Sequence, residues 1–169
     1  TRMADIVVVG GRNVYSSGEK IIGQPVSCPS VEEVTVKRLT ENGLLLLVTP
    51  VFDAPGFRLG EVSKESGRYQ LDCLAKALNL CRDKVVDGVC FAPLNKAAMH
   101  LAGLSHEDES GFFCDHLEHR GRFGLLNTLG NLWTSRATSH VAHRKVSELI
   151  TRESVLEAIR LLDSTLRST

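Results

Sequence analysis

The sequence predicts an α/β protein with a mixed, largely parallel sheet that is flanked by helices. Short apolar runs rich in valine, isoleucine or leucine end in glycine or proline, as strands do. Longer segments between them repeat apolar residues at helical spacing, and the two kinds of segment alternate along the chain. With 169 residues the chain is long enough to bury a sizeable core, as one domain or as two small lobes.

Composition argues against several functional classes. The 20 basic and 20 acidic residues leave no net charge, so no electrostatic argument favours nucleic acid or an anionic membrane as a partner. No apolar run approaches the roughly 20 residues needed to cross a bilayer, and no signal peptide opens the chain. The five cysteines are odd in number and form no C-x-x-C pair, which indicates reduced thiols in a cytoplasmic protein without a structural zinc site.

The first half of the chain predicts short strands and one long helix. In chain order we expect a strand at residues 6–9, a weak helix at 12–22, strands at 34–36 and 44–48, a loop through Pro50, Asp53, Pro55 and Gly56, and a helix at 62–81. The Gly10-Gly11 turn lacks the G-x-G-x-x-G pattern, so we interpret it as an ordinary strand-to-helix turn. Asn42-Gly43 between the two middle strands predicts a hairpin.

The second half predicts two further strands and a C-terminal helix. We expect a strand at residues 88–91, closed by Pro93, and another at 133–138. Thr151 is placed to cap the last helix, because its hydroxyl can accept from the first backbone amides. The apolar stripe of that helix is formed by Val155, Ile159, Leu162 and Leu166.

Asn95 and Lys96 are the first candidate site residues. They follow a predicted strand, and ligands of open α/β sheets bind at the carboxyl edge. Lys96 also lies near the start of a helix, where its charge opposes the helix dipole, so a bound carboxylate or phosphate would account for it. A solvated lysine without a ligand is an equally good interpretation of the spacing.

The acidic run His106-Glu107-Asp108-Glu109 is the second candidate. It offers metal-ligand and acid–base chemistry. Taken alone, it is better interpreted as the negatively charged start of a helix through Phe112 and Phe113. Further on, His140 and His143 follow a strand and are expected to diverge, and His116 and His119 are expected on a helix surface.

Together these stretches resemble one enzyme family. Residues 91–103, FAPLNKAAMHLAG, are similar to the GPLNKAALHLAG segment of the 4-hydroxythreonine-4-phosphate dehydrogenase family. Three other stretches resemble family motifs in order and spacing: Ser66-Gly67-Arg68-Tyr69, Ala137-Thr138-Ser139-His140, and the run from Leu149 to Leu156. The resemblance covers most of the chain from about residue 60 onward, and the start more weakly.

The resemblance implies an isopropylmalate-dehydrogenase-like fold and a homodimer with its active sites between subunits. It implies a divalent metal, zinc, magnesium or similar, that three histidines hold, with His140 matching the first. We expect residues 1–169 to be a fragment of a two-lobed dehydrogenase. The glycine-rich opening, the other metal histidines and the nicotinamide-binding half would then be absent, and the fragment alone would be inactive.

The acidic run departs from the family pattern. Where the family reads Gly-His-Thr-Glu, with the histidine and threonine on substrate, one alignment places His106 and Glu107 there and the other places Glu107 and Asp108 there. A carboxylate near a phosphate would be repulsive. We therefore expect a substrate more like those of the terephthalate dihydrodiol dehydrogenases, which are carboxylated cis-diols.

The functional expectation is a metal-dependent dehydrogenase. The full-length protein would use NAD or NADP to oxidise and decarboxylate a hydroxy acid or diol, with Asn95, Lys96, His106, Glu107 and Asp108 at the substrate and His140 at the metal. The alternative is a non-catalytic, truncated paralogue that only dimerises.

Overall fold

A computed structural model describes residues 4–47, 58 and 60–168 in two compact units, Thr1–His119 and Arg120–Thr169. The first unit contains β1 (Ile6–Val9), α1 (Arg12–Ile22), β2 (Ser30–Val31), α2 (Val36–Asn42), β3 (Leu44–Leu47), α3 (Lys64–Arg82), α4 (Lys96–Leu101) and α5 (Glu109–His116). The second contains β4 (Leu126–Leu129), β5 (Leu132–Ser135), α6 (His143–Leu149) and α7 (Arg152–Ser168). The predicted α/β class is confirmed.

The first unit is built on a parallel three-stranded sheet with strand order β1-β3-β2. Central strand β3 pairs with β1 in the register Ile6↔Leu44 to Val9↔Leu47, and with β2 at its carboxyl end. Leu45, Leu46 and Leu47 are almost fully buried, because a central strand covered on both faces excludes water from every side chain. Leu45 and Leu47 of this run belong to the apolar cluster beside the sheet.

The predicted hairpin between residues 34–36 and 44–48 is wrong. Thr35 is instead the N-cap of α2, since its side chain accepts from the backbone N–H of Arg38. Gly43 ends the same helix with a φ of 75°, and its N–H donates to Leu39 at 2.7 Å. Asn-Gly suits a helix C-cap as well as a hairpin. Here β2 and β3 pair in parallel, which requires a crossover connection between them, and α2 supplies it. Val48 and the predicted loop around Pro50, Asp53, Pro55 and Gly56 lie outside the described residues.

Helix α3 joins the two apolar clusters of the first unit. Leu80 lies in the cluster beside the sheet. Leu71 and Leu74 belong to the second cluster, where they pack with Met99 of α4 and with Leu104. The predicted helix at 62–81 is therefore confirmed, with Ser63 as its N-cap. The helix thereby connects the sheet to the segment that carries Asn95 and Lys96.

The predicted strand at residues 88–91 is not formed. This segment has no regular secondary structure and pairs with no strand among the described residues, and Phe91 is 42% exposed. Phe91 instead makes an edge-to-face contact with Phe113, at 5.6 Å between ring centroids. The junction before α4 is consequently a coil-to-helix junction.

The second unit is an antiparallel hairpin with two helices. Strands β4 and β5 pair from Leu126↔Ser135 to Leu129↔Leu132, and Gly130 in the turn has a φ of 56°. Thr151 and Ser154 cap α7 reciprocally, which confirms the predicted cap. No described residue of this unit is buried, and Ile159 of the predicted apolar stripe is 58% exposed.

The described part of the chain contains no helix long and apolar enough to cross a membrane. All five cysteines are free thiols. Only Cys28 is fully buried.

Candidate functional site

Asn95 begins α4 and fixes the backbone on either side of it. Its side-chain oxygen accepts from the N–H of Ala98 at 3.0 Å, which makes it a helix N-cap. Its own backbone N–H donates to the side-chain oxygen of Gln70 on α3 at 2.7 Å. The side-chain oxygen of Asn95 is therefore used inside the protein, and the side-chain amide nitrogen remains as a donor for a substrate.

Lys96 is the first residue of α4 and lies close to the acidic run. Its Nζ is 3.9 Å from Oε2 of Glu109, the first residue of α5. The lysine is 47% exposed and the glutamate 24% exposed, so solvent weakens the pair. Glu109 partly offsets the unfavourable interaction between the Lys96 charge and the positive end of the helix dipole. The ammonium group is exposed enough to remain accessible to an anion.

The acidic run begins a helix, as the sequence favoured. Asp108 is the N-cap of α5, and its Oδ1 accepts from the backbone N–H groups of Ser110 at 3.0 Å and Gly111 at 3.4 Å. Glu107 is exposed and has no helical role. Backbone amides donate to the Asp108 carboxylate, and Lys96 pairs with Glu109. Glu107 is therefore the exposed carboxylate of this run that would repel a phosphate most.

His106 lines an open groove of about 380 Å³ between α3 and α5, which Asn95 and Lys96 do not line. Its Nε2 is 2.7 Å from Oδ2 of Asp115, and its ring covers Gly111 so closely that a Cβ there would collide with it. The groove is also lined by Arg68, Asp72, Phe112 and His116. The predicted substrate residues thus divide into the α4 junction and this groove.

His116 corrects the expectation of a solvated surface histidine. Its Nε2 lies 2.9 Å from Oδ1 of Asn79 on α3, and its ring stacks on Phe112 at 5.8 Å between centroids. These contacts tie α5 to α3. They give His116 a structural role within the first unit.

His140 lies in the second unit, just before α6. It is exposed and has a φ of 54°, an uncommon conformation for a residue other than glycine. His143 is the first residue of α6. The described residues contain no group of three or more His, Cys, Asp or Glu side chains that could hold a metal ion. A metal at His140 would therefore need ligands from outside the part of the chain that the structure describes.

Cys73 on α3 does not add a reactive group to this region. Burial raises the pKa of its thiol to about 11, although a hydrogen bond with Tyr69 works in the opposite direction. At neutral pH the thiol stays protonated, and a protonated thiol is a poor nucleophile and metal ligand.

Sequence reasoning missed the residues that support the site. Gln70 holds the backbone of Asn95, Asp115 holds His106, and the Tyr69 hydroxyl accepts from Gly11 N–H at 3.0 Å. Gly67 was a usable signal, because a glycine inside a long helix often marks a close approach of another backbone. The other three contacts join separate elements and have no local pattern.

Comparison with known proteins supports the family resemblance. The family model described as "Pyridoxal phosphate biosynthetic protein PdxA" matches residues 2–169. A Pseudomonas aeruginosa protein, named provisionally as 4-hydroxythreonine-4-phosphate dehydrogenase 2, is 48% identical over 111 residues, which are 66% of this chain and 33% of that protein. A D-threonate 4-phosphate dehydrogenase of Bordetella bronchiseptica is 26% identical over 98% of this chain and 47% of its own length. The chain spans about half the length of such relatives.

The fold is shared with solved structures. The crystal structure of a 4-hydroxythreonine-4-phosphate dehydrogenase from Klebsiella pneumoniae superposes with a TM-score of 0.79 at 23% identity, covering 95% of this chain and 49% of that one. At this identity the likeness concerns the fold alone. The match to the family model covers nearly every residue. The chain therefore belongs to the family described as pyridoxal phosphate biosynthetic protein PdxA.

Proposed function

We propose that this chain forms the substrate-binding half of an NAD- or NADP-linked dehydrogenase. The substrate would be a phosphorylated hydroxy acid of the 4-hydroxythreonine 4-phosphate or D-threonate 4-phosphate type. The observation that carries the proposal is the family match over residues 2–169, which includes the Pro-Leu-Asn-Lys junction. Relatives named for these two activities align with almost the whole chain.

The exposed Lys96 ammonium group would bind the substrate anion, and the Asn95 side-chain amide would donate to a substrate oxygen. The nicotinamide would supply the acceptor for the hydride of the alcohol carbon while the hydroxyl proton is released, and the resulting β-keto acid would lose carbon dioxide. His140 would be one ligand of a divalent metal, which would lower the pKa of the alcohol. A cytoplasmic homodimer with the isopropylmalate-dehydrogenase-like fold is part of the same proposal.

The substrate class decides between this proposal and a second candidate. A carboxylated cis-dihydrodiol is favoured by one observation, the exposed Glu107 carboxylate where the family offers an uncharged side chain. For a full-length protein that contains this chain, we expect kcat/KM to be about tenfold or more higher for the phosphorylated substrate, the size of one charge-assisted hydrogen bond. Steady-state NADH formation with both substrates measures the ratio.

A ratio that favours the diol would establish the second candidate. In that case Glu107→Thr, which removes the carboxylate, should shift the ratio towards the phosphate. The absence of turnover with either substrate, in a folded full-length protein loaded with metal, would favour the non-catalytic paralogue.

The 169-residue chain alone should bind divalent metal weakly. His140 would supply one imidazole of the three that the family resemblance implies, and a single imidazole holds zinc far less tightly than a complete set. Calorimetric titration with zinc should show no tight one-to-one site. A tight site that His140→Ala abolishes and His119→Ala preserves would contradict the proposal.

A further inference from the structure

The N-terminus of α4 lacks the partner that would normally complete its cap. In a capping box the third helical residue returns a hydrogen bond to the backbone N–H of the N-cap residue. In α3 and α7 a serine does this, with Ser66 and Ser154 accepting at 3.4 Å and 2.9 Å. In α4 that position is Ala98, whose side chain has no acceptor.

Gln70 supplies the missing acceptor from another helix. Its side-chain oxygen accepts from the Asn95 N–H at 2.7 Å, and its side-chain nitrogen donates to the carbonyl oxygen of Ser66 at 3.0 Å. The second bond holds the amide against its own helix and so fixes which way the oxygen points. The cap of α4 is thus completed by a residue 25 positions earlier in the chain.

The backbone of α3 reinforces this contact one turn earlier. Gly67 lies against the carbonyl group of Ala98, and α4 packs against α3. Gly67 and Gln70 are three residues apart and share one face of α3. Helix α4 has only six residues, too few to be stable alone, so its direction depends on these contacts.

We propose that Gln70 is a positioning residue for the oxidation. It fixes the backbone at Asn95, and through that backbone it directs the side chain of Lys96 towards the substrate anion. Glu109, at 3.9 Å from Nζ, restrains the lysine from the side of α5. This inference rests on the proposed function, because it assigns Gln70 a role in that reaction through Lys96.

The local part of the inference is testable on the 169-residue chain by amide hydrogen exchange. In the wild type we expect the Asn95 N–H to be protected. Gln70→Leu, which keeps the size but removes the acceptor, should abolish that protection. Gln70→Glu, which keeps an acceptor oxygen, should largely retain it. Gln24→Leu, on an exposed glutamine between α1 and β2, is the matched control and should change nothing at Asn95.

The functional part requires a full-length protein that contains this chain. We expect Gln70→Leu to lower kcat/KM for the substrate about five- to tenfold, the effect of one lost hydrogen bond. The loss should appear mainly in the KM of the substrate, with the KM of the nicotinamide unchanged, because Lys96 would bind the substrate anion and not the nicotinamide. Gln70→Glu should restore most of the activity, and Gln24→Leu should keep all of it.

A double-mutant cycle separates positioning from a general structural effect. If Gln70 acts through Lys96, Gln70→Leu should have little further effect in a Lys96→Met background. Additive effects, an unchanged kcat/KM in Gln70→Leu, or a Gln70→Glu protein as impaired as Gln70→Leu would each overturn the inference. If the wild type oxidises neither substrate class, the proposed function fails and this role falls with it, whereas loss of protection at Asn95 would still establish the cap.

Discussion

Replacing Gly67 by alanine should destabilise the chain by about 3 kcal/mol, because a core overpacked against backbone has little room to relax. A Cβ at this position would collide with the carbonyl carbon and oxygen of Ala98 and the backbone nitrogen of Met99. These are backbone atoms, so no change of rotamer can relieve the collision. The two helices would have to move apart, which would open the cluster around the fully buried Met99.

Gly18→Ala is the matched control for this prediction. Gly18 lies inside α1, and a Cβ there would meet nothing within 4 Å. Alanine should therefore raise the stability by about 0.5–1 kcal/mol, since glycine loses more backbone entropy in a helix. Urea denaturation of the three proteins measures both changes. Equal midpoints for wild type and Gly67→Ala would show that α3 and α4 lie further apart than the structure has them.

Replacing Lys96 by methionine should lower kcat/KM of the full-length protein about ten- to more than a hundredfold. The expected loss is one charge-assisted contact to the substrate anion, about 1.5–3 kcal/mol. The thermal midpoint should hardly change, because the pair with Glu109 is partly exposed and such pairs contribute about 0–1 kcal/mol. Steady-state kinetics and thermal denaturation of the same protein check both expectations.

Lys37→Met controls for the removal of a paired lysine elsewhere. Lys37 lies 4.0 Å from Glu41 on α2, in an exposed ion pair outside the candidate site. The Lys37→Met substitution should leave both kcat/KM and the thermal midpoint unchanged. If Lys96→Met also leaves kcat/KM and the thermal midpoint unchanged, Lys96 is a surface residue paired with Glu109, and the substrate anion binds elsewhere.

The helices and caps were predictable because their signals are local. The long apolar face of α3, the Thr151 cap and the acidic start of α5 all depend on residues within about one or two turns of one another. The family resemblance was predictable for the same reason. The Pro-Leu-Asn-Lys run is contiguous, and the family match over residues 2–169 confirms what it indicated.

The contacts around the candidate site could not be predicted from the sequence, because most of them are not local. Asn95 and Lys96 were expected at the end of a strand, but residues 88–91 find no partner strand among the described residues. Whether an extended segment pairs as a strand depends on which other strand lies beside it, and a short apolar run does not indicate this. His106, Glu107 and Asp108 were predicted to lie together at the substrate. In the structure Asp108 caps α5, whereas His106 lines a groove and contacts Asp115.

The α/β class, the long helices with their caps, and the family can all be inferred from the residues alone. That Asn42-Gly43 ends a helix, and that Gly67 and Gln70 of α3 hold the junction at Asn95, becomes clear only from the folded chain. The difference lies in the range of the interactions. Helical periodicity and capping act between neighbours along the chain, whereas strand pairing, backbone approach and a cap completed by another helix join residues that only folding brings together.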